Sequence, residues 1–485
     1  MRLADLAVEG TELRGDGDVP VMALTADSRD VVPGALFAAL KGARADGLDH
    51  VDEAIARGAV AVLGDPRLAG RELGVATLVA ADARRAFALA AAAMFARQPE
   101  TVVAVTGTNG KTSTANFTRQ LWRAMGLPAA SLGTLGVDAP GFPAGDSLTT
   151  PDPVALHRLL AELARAGIDH LVMEASSHGL DQRRLDGVQL AAAAFLNLTR
   201  DHLDYHGSEA AYLAAKWRLF DTLLPPGATA ILNADMANAG ALAAAARDRG
   251  LVVREIGRAA KDFRLEAVTP KADGQVLALV LDGARREVEL PVVGGFQAYN
   301  LLAALALAEA GGAERTALLD AVGELRGPRG RMELVARHPS GAAVFVDYAH
   351  TPDALEQALS GLRPHARGRL HVIFGCGGDR DAGKRPEMGA IAARLADRVI
   401  VTDDNPRSEE AAAIRAAICA AAPAAVEIAG RAAAIAAALD ALRAGDVLLV
   451  AGKGHETGQV VGDTVHPFDD AEVVRRMLGG AEGRR

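Results

Sequence analysis

Four side chains in this sequence have the type and setting for phosphate and carboxyl chemistry: Lys111, Glu174, His202 and Lys216. Lys111 lies in the run Thr-Val-Val-Ala-Val-Thr-Gly-Thr-Asn-Gly-Lys-Thr-Ser, residues 101–113. Residues 102–105 are a short β-branched run that reads as a buried strand. Gly107, Thr108, Asn109 and Gly110 then turn the chain, and Lys111, Thr112 and Ser113 open a helix expected to end near Trp122. A strand, a glycine turn and a helix N-terminus form a phosphate cradle, with backbone N–H groups aimed at the oxygens. Lys111 adds positive charge, and the Thr112 hydroxyl can ligate Mg²⁺. The eight-residue phosphate-loop pattern expects Gly at 105, where this chain has Val105. The plainer alternative is an ordinary glycine-rich βα turn. Lys111-Thr112 directly after Gly110 argues against it.

Glu174 closes the apolar run 171–173 and precedes Ala-Ser-Ser-His-Gly-Leu, residues 175–180. A carboxylate at the C-terminal end of a strand lies where open α/β sheets bind ligands, and is a natural Mg²⁺ ligand. His202, within Asn-Leu-Thr-Arg-Asp-His-Leu-Asp-Tyr-His-Gly (197–207), could complete a mixed site, although Mg²⁺ prefers oxygen. A histidine in a polar loop also serves simply as a hydrogen-bonding residue. The helix expected over 208–223 has Ser208 as its cap and Glu209 at the positive end of its dipole. Lys216 falls on that helix's apolar stripe of Leu213, Trp217 and Phe220. Two readings stay open. The lysine snorkels past its aliphatic stem to water, or its desolvated, neutral amine reacts with carbon dioxide to give an anionic carbamate beside a metal.

The elements that must position these groups follow from length and pattern. At 485 residues the chain is too long for one core, and about three domains is the expectation. Half the residues are hydrophobic but aromatics are only 4%, so alanine and the aliphatics must fill α/β layers. The pattern predicts strands at 35–40, 59–63 and 76–79, with helices around 51–56 and 84–95. Gln98-Pro99-Glu100 reads as a linker, because proline cannot continue the preceding helix. Strands follow at 171–173, 191–196 and 229–232. Runs at 276–281 and 287–293 flank Asp282-Gly283 as a hairpin, and a helix spans 298–310. Pro328 marks a second boundary, after which strands at 343–346, 370–374, 398–401 and 447–450 alternate with helices. That alternation predicts a doubly wound, mostly parallel sheet. The three expected domains are 1–97, 98–328 and 329–485, with a short low-complexity end at 479–485.

The net charge of −9, without a basic block, excludes a nucleic-acid footprint. Cys376 and Cys419 make no disulfide framework. The start Met-Arg-Leu-Ala-Asp lacks a signal-peptide core, and apolar runs such as 86–96 fall short of a membrane span. The expectation is a soluble, cytoplasmic monomer without membrane insertion.

The motifs together are specific. Thr-Gly-Thr-Asn-Gly-Lys-Thr (106–112), Glu-Ala-Ser-Ser-His-Gly-Leu (174–180), Thr-Arg-Asp-His-Leu-Asp-Tyr-His-Gly (199–207) and Ala-Ala-Lys-Trp (214–217) resemble the Mur ligases. Gly-Arg-Met-Glu (330–333), Asp-Tyr-Ala-His-Thr-Pro-Asp (347–353), Gly-Cys-Gly-Gly-Asp-Arg (375–380) and Gly-Lys-Gly-His-Glu (452–456) extend the resemblance over the whole chain. These are ATP-dependent amide-forming enzymes of peptidoglycan precursor synthesis. The resemblance implies an α/β fold of three domains: a UDP-sugar-binding N-terminal domain, a central P-loop-type ATPase sheet, and a Rossmann-like doubly wound C-terminal domain that binds the amino acid.

It also implies roles. Gly107 to Ser113 would hold the ATP phosphates, with Thr112, Glu174, His202 and a carbamylated Lys216 around Mg²⁺. Asn300, Arg331 and Asp347 would approach the nucleotide, with His350 in the same motif as Asp347. Ser28 would contact the UDP-sugar, and Thr149, Thr150, Ser176, Gln182 and Arg184 the muramoyl dipeptide. Arg380, Asp404, Asn405, Pro406, Arg407, Gly452 and Glu456 would form the amino-acid site. There the resemblance implies meso-2,6-diaminopimelate, whose extra carboxylate the Arg407 guanidinium fork can grip with two parallel hydrogen bonds. Read without the resemblance, Asp-Asn-Pro-Arg is a surface turn. Gln297 and Leu148 depart from the family pattern, which usually has Asn at the first and often at the second. Rival readings are a ligase that adds L-lysine, a folate polyglutamylating ligase, and a P-loop switch or motor.

Overall fold

The structure is a computed structural model describing residues 1–42, 45–143, 148–271 and 273–479. Of the expected low-complexity end, all but Gly479 lies outside the described residues. Among the described residues three large sheets follow one another along the chain. The first has five strands in the order Thr11–Arg14, Ala76–Ala80, Ala59–Gly64, Ala35–Ala39, Ala23–Thr25, parallel except at its first edge. The second has ten strands, and Thr101–Thr106 lies inside it between Ala192–Phe195 and His170–Glu174, parallel to both. The third has six, ordered Glu333–Arg337, Ala343–Asp347, Val447–Ala451, Leu370–Phe374, Arg398–Val401, Val426–Glu427. A mixed, parallel-rich α/β architecture of three domains is therefore present.

Alanine fills the cores as the composition requires. Helix Gln297–Ala310 is buried along nearly its whole length and packs on helix Lys111–Ala124, where Trp122 is fully buried and donates Nε1 to Ala308 O at 3.2 Å. Small side chains let the two helices approach, which ties the phosphate-loop helix to the residues at the start of its neighbour. Among the described residues no helix is long and apolar enough to cross a membrane.

Two expected elements differ. The strand expected at 287–293 is Ala284–Leu290. Asp282 and Gly283 both adopt positive φ (45° and 86°), so a two-residue turn pairs Leu281 directly with Ala284 and the strand must begin at once. The single helix expected over 208–223 is α only over Glu209–Arg218, then widens into a π turn at Leu219–Leu223 ahead of Pro225. Strands at Ala129–Gly133, Val252–Gly257 and Phe263–Lys271 carried little signal, being short and alanine-rich or studded with charge.

Candidate active site

The phosphate loop leaves the C-terminal end of strand Thr101–Thr106, the end at which open parallel sheets bind ligands. Gly110 caps the following helix at φ 89°, and a Cβ there would fall on Asn300 Oδ1. Only glycine satisfies both demands. Asn197 clamps the loop from the adjacent strand end: its Oδ1 accepts from Asn109 N at 2.9 Å and its Nδ2 donates to Asn109 O at 3.0 Å. Lys111 Nζ reaches back to Gly107 O (2.8 Å) and Thr108 O (2.9 Å).

Glu174 pairs in register with Val105, so its side chain emerges beside the loop, and it is buried. Its carboxylate is held from one side by Thr134, whose backbone N–H donates to Oε1 at 2.9 Å and whose hydroxyl donates to Oε2 at 3.3 Å. Lys216 is also buried, with Nζ donating to the same Gly107 O at 2.8 Å and standing 4.5 Å over the Tyr212 ring. Burial, then the neighbouring Lys111, hold its pKa well below the ordinary lysine value, against the opposing pull of Asp201. Snorkelling to water is thereby excluded. His202, at φ 52°, starts helix Leu203–His206 and packs edge-on to His178 at 4.8 Å between centroids. Burial lowers its pKa, with Asp201 opposing.

A cavity of about 260 Å³ gathers these groups. Lys111, Thr112, Ser113, Glu174, His202 and Lys216 line it from the second sheet, and Arg331, Asp347 and His350 from the third. Thr149 and Ser176 face it too. Burial raises Asp347 to about 6, opposed by Arg331 and by the Met332 N–H, which donates to Oδ2 at 2.7 Å. Asp353 joins the two sheets, accepting from Asn109 Nδ2 at 2.7 Å and Thr199 Oγ1 at 3.2 Å. The donor set suits Mg²⁺: a threonine hydroxyl and an oriented carboxylate are hard oxygen ligands, with His202 alongside.

A second cavity, about 610 Å³, opens on the other side of Gly110. Asn233, Asp235, Phe296 and Tyr299 line it, none of them foreseen, and Tyr299 donates to Asp235 Oδ2 at 2.7 Å. The signal for Asn233 and Asp235 was available, since Asn233 ends a strand and Asp235 lies two residues beyond it. Gln297 is fully buried, and its Oε1 accepts from Asn300 Nδ2 at 2.8 Å, which orients Asn300 toward the loop. Leu148 is exposed.

A third cavity of about 670 Å³ lies between the first and second sheets and contains Gln182 and Arg184, with Arg84 and Arg158. Ser28 does not line it; its hydroxyl donates to Glu53 Oε2 at 3.2 Å. Thr150 is buried, donating to Glu174 O at 3.0 Å and accepting from Ser176 N at 3.1 Å.

The remaining predicted residues gather at the strand ends of the third sheet. Asp404 and Asn405 are buried; Gly452, at φ 114°, leaves room for Asp404 Oδ2, which a Cβ would meet at 2.6 Å. Arg407, after Pro406, adopts φ 53° and donates Nη1 to Gly378 O at 2.7 Å. Arg380 is exposed on the adjoining loop, whose Asp379 accepts from Ser408 Oγ at 2.6 Å. Glu456 faces Asn405, whose Nδ2 donates to its Oε2 at 3.0 Å.

A phosphate cradle with a carboxylate and a buried lysine, facing residues of the third sheet, fits an ATP-using ligase class, and comparison with known proteins agrees. Family profiles match three consecutive stretches: the Mur ligase family catalytic domain over 20–108, the Mur ligase middle domain over 105–308, and the Mur ligase glutamate ligase domain over 330–454. The chain belongs to the Mur ligase family. A relative from Caulobacter vibrioides, named UDP-N-acetylmuramoyl-L-alanyl-D-glutamate–2,6-diaminopimelate ligase, is 53% identical over 470 residues, 96% of each chain. Another of that name, from Agrobacterium fabrum, is 51% identical over 469 residues, 97% of this chain and 95% of its own. A solved structure of a ligase of the same name is 34% identical, with a TM-score of 0.71 over 99% of both chains.

Proposed function

We propose that this chain joins an amine of meso-2,6-diaminopimelate to the D-glutamyl side-chain carboxylate of UDP-N-acetylmuramoyl-L-alanyl-D-glutamate, using ATP, in peptidoglycan precursor synthesis. One juxtaposition carries the reading: the phosphate loop, Glu174 and buried Lys216 share a cavity with Arg331 and Asp347. Near-full-length relatives with about half their positions identical bear that ligase name. In this reading residues 1–97 bind the UDP-sugar, 98–328 the ATP, and 329–485 the amino acid. The enzyme works as a monomer in the cytoplasm, where its nucleotide substrates are.

A glutamyl carboxylate oxygen attacks the γ-phosphorus, and the bond to the bridging oxygen of ADP breaks, giving an acyl phosphate. The amine nitrogen then attacks the acyl carbon, loses a proton and expels inorganic phosphate. Lys111 and the loop N–H groups neutralise the phosphoryl oxygens, and the helix start orients them. Mg²⁺, held through Thr112, Glu174 and His202, supplies further charge neutralisation when bound. Asp353 ties the third sheet onto the loop, which aligns the amine and keeps water from the acyl phosphate. Lys216 reacts with carbon dioxide, forming an N–C bond and releasing a proton. The resulting N6-carboxylysine adds an anionic oxygen ligand and turns the repulsion between Lys111 and Lys216 into attraction.

Phosphate release across a panel of amino acids, with and without the UDP-muramoyl dipeptide, tests the proposal. Release should require both acceptors and be fastest with meso-diaminopimelate. Release without any acceptor would instead favour a switch or motor. Equal rates with lysine would favour a lysine-adding ligase.

A further inference from the structure

Lys453 is fully buried, and nothing in the reaction outlined above uses it. Its ammonium donates to Asn405 Oδ1 at 3.0 Å and to Glu456 Oε2 at 3.0 Å. A buried charge is tolerated only when such partners satisfy it, so this placement is costly and specific. Building on the proposed amino-acid site, we infer that Lys453 is a positioning residue that presents Asn405 and Glu456 to the zwitterionic end of an amino acid.

The hydrogen-bonding capacity of the two partners gives the reason. Asn405 Oδ1 accepts from Lys453 Nζ and from Val460 N at 3.0 Å, which uses both its lone pairs and fixes the amide so that it cannot flip. Its Nδ2 must then point at Glu456 Oε2, 3.0 Å away. Glu456 Oε2 receives two donors, from Lys453 and Asn405. Asn405 keeps a second N–H donor, and Glu456 keeps acceptor capacity on its second oxygen, with the Tyr348 hydroxyl beside the same carboxylate. That pair matches the carboxylate and ammonium of an amino acid, and Glu456 keeps 32% of its side chain exposed to meet one. Without Lys453 only the Val460 N–H holds Asn405 Oδ1 and Glu456 loses its cationic anchor, so the pair is held less firmly for a ligand.

The test is steady-state kinetics of Lys453→Met, which keeps the apolar stem and removes the charge. The KM for meso-diaminopimelate should rise about tenfold or more, the size of one to two lost charge-assisted hydrogen bonds. KM for ATP and for the UDP-muramoyl dipeptide should stay within about twofold. In an Asn405→Ala background, Lys453→Met should add little, because the residue acts through Asn405. An unchanged diaminopimelate KM overturns the inference, as do equal rises in all three KM values or full additivity in the double variant. Should the methionine variant not fold, Lys453→Gln, which keeps a donor, should show a smaller rise in the diaminopimelate KM alone; no rise overturns the inference. Wild-type turnover separates the two levels: if the wild type does not use diaminopimelate, the proposed substrate is wrong. If it does and Lys453→Met matches it, only the role of Lys453 is wrong.

Discussion

Arg407 carries two burdens that its replacement by alanine or glycine separates. Its guanidinium is anchored through Nη1 to Gly378 O at 2.7 Å, which leaves the rest of the fork available for the ligand carboxylate proposed above. Its backbone sits at φ 53°, in the left-handed region that costs a non-glycine residue about 1–2 kcal/mol. Both Arg407→Ala and Arg407→Gly remove the fork. Losing one charge-assisted pair with a carboxylate costs roughly 2–5 kcal/mol. Arg407 is only partly buried, so the lower end applies, and 2 kcal/mol is about a thirtyfold rise in the diaminopimelate KM. ATP and dipeptide KM values should change little, and lysine should gain relative to diaminopimelate. Stability should distinguish the two variants, because alanine keeps the strained backbone and glycine relaxes it. Glycine should be more stable than alanine by about 1 kcal/mol, or about 2–4 °C in the unfolding midpoint of the third sheet. Phosphate-release kinetics with each substrate varied in turn, beside thermal melts, measure both. A diaminopimelate KM near wild type refutes the carboxylate assignment, and a glycine variant no more stable than the alanine one refutes the strain argument.

Lys216→Ala should lose nearly all activity yet keep its fold, with millimolar acetate restoring part of it by occupying the carbamate's place; Lys216→Arg should not be rescued. Near wild-type turnover in Lys216→Ala would end the carbamate reading. Gly110→Ala should abolish ATP binding, measured by calorimetry, because its Cβ falls on Asn300 Oδ1 at a φ that alanine avoids. Asp347 titrates near 6 in the fold, above its unfolded value of about 3.9. The folded state therefore binds the proton more tightly, and this contribution to stability is complete below about pH 4 and lost as pH rises through 6. The unfolding midpoint of the wild type relative to Asp347→Asn should accordingly rise as pH falls from 7 to 4; a flat difference would show that Asp347 is not held protonated.

The phosphate loop was legible in residues 101–113 because its parts are contiguous in the chain. A strand, a glycine turn and a helix start are local structures, decided by propensity and by steric demands over a dozen residues. The 2-residue hairpin at Asp282-Gly283 was legible for the same reason, although its second strand began sooner than the hydrophobic run suggested. The burial of Lys216 was not. Spacing put it on an apolar stripe and left snorkelling open, while the fold delivers its Nζ to Gly107 O, 109 residues away in sequence. Nor could spacing show that Asp353 meets Asn109 across 244 residues, or that Gln297 is the residue that aims Asn300. Asn233, Asp235 and Tyr299 meet at one cavity only because the sheet order sets strand Thr229–Asn233 near helix Gln297–Ala310. Residue types and local turns decided which chemistry was possible. Which of those residues are brought together, and which are stripped of water, was decided by strand order and by close packing of alanine-rich helices, both long-range consequences of burying apolar surface.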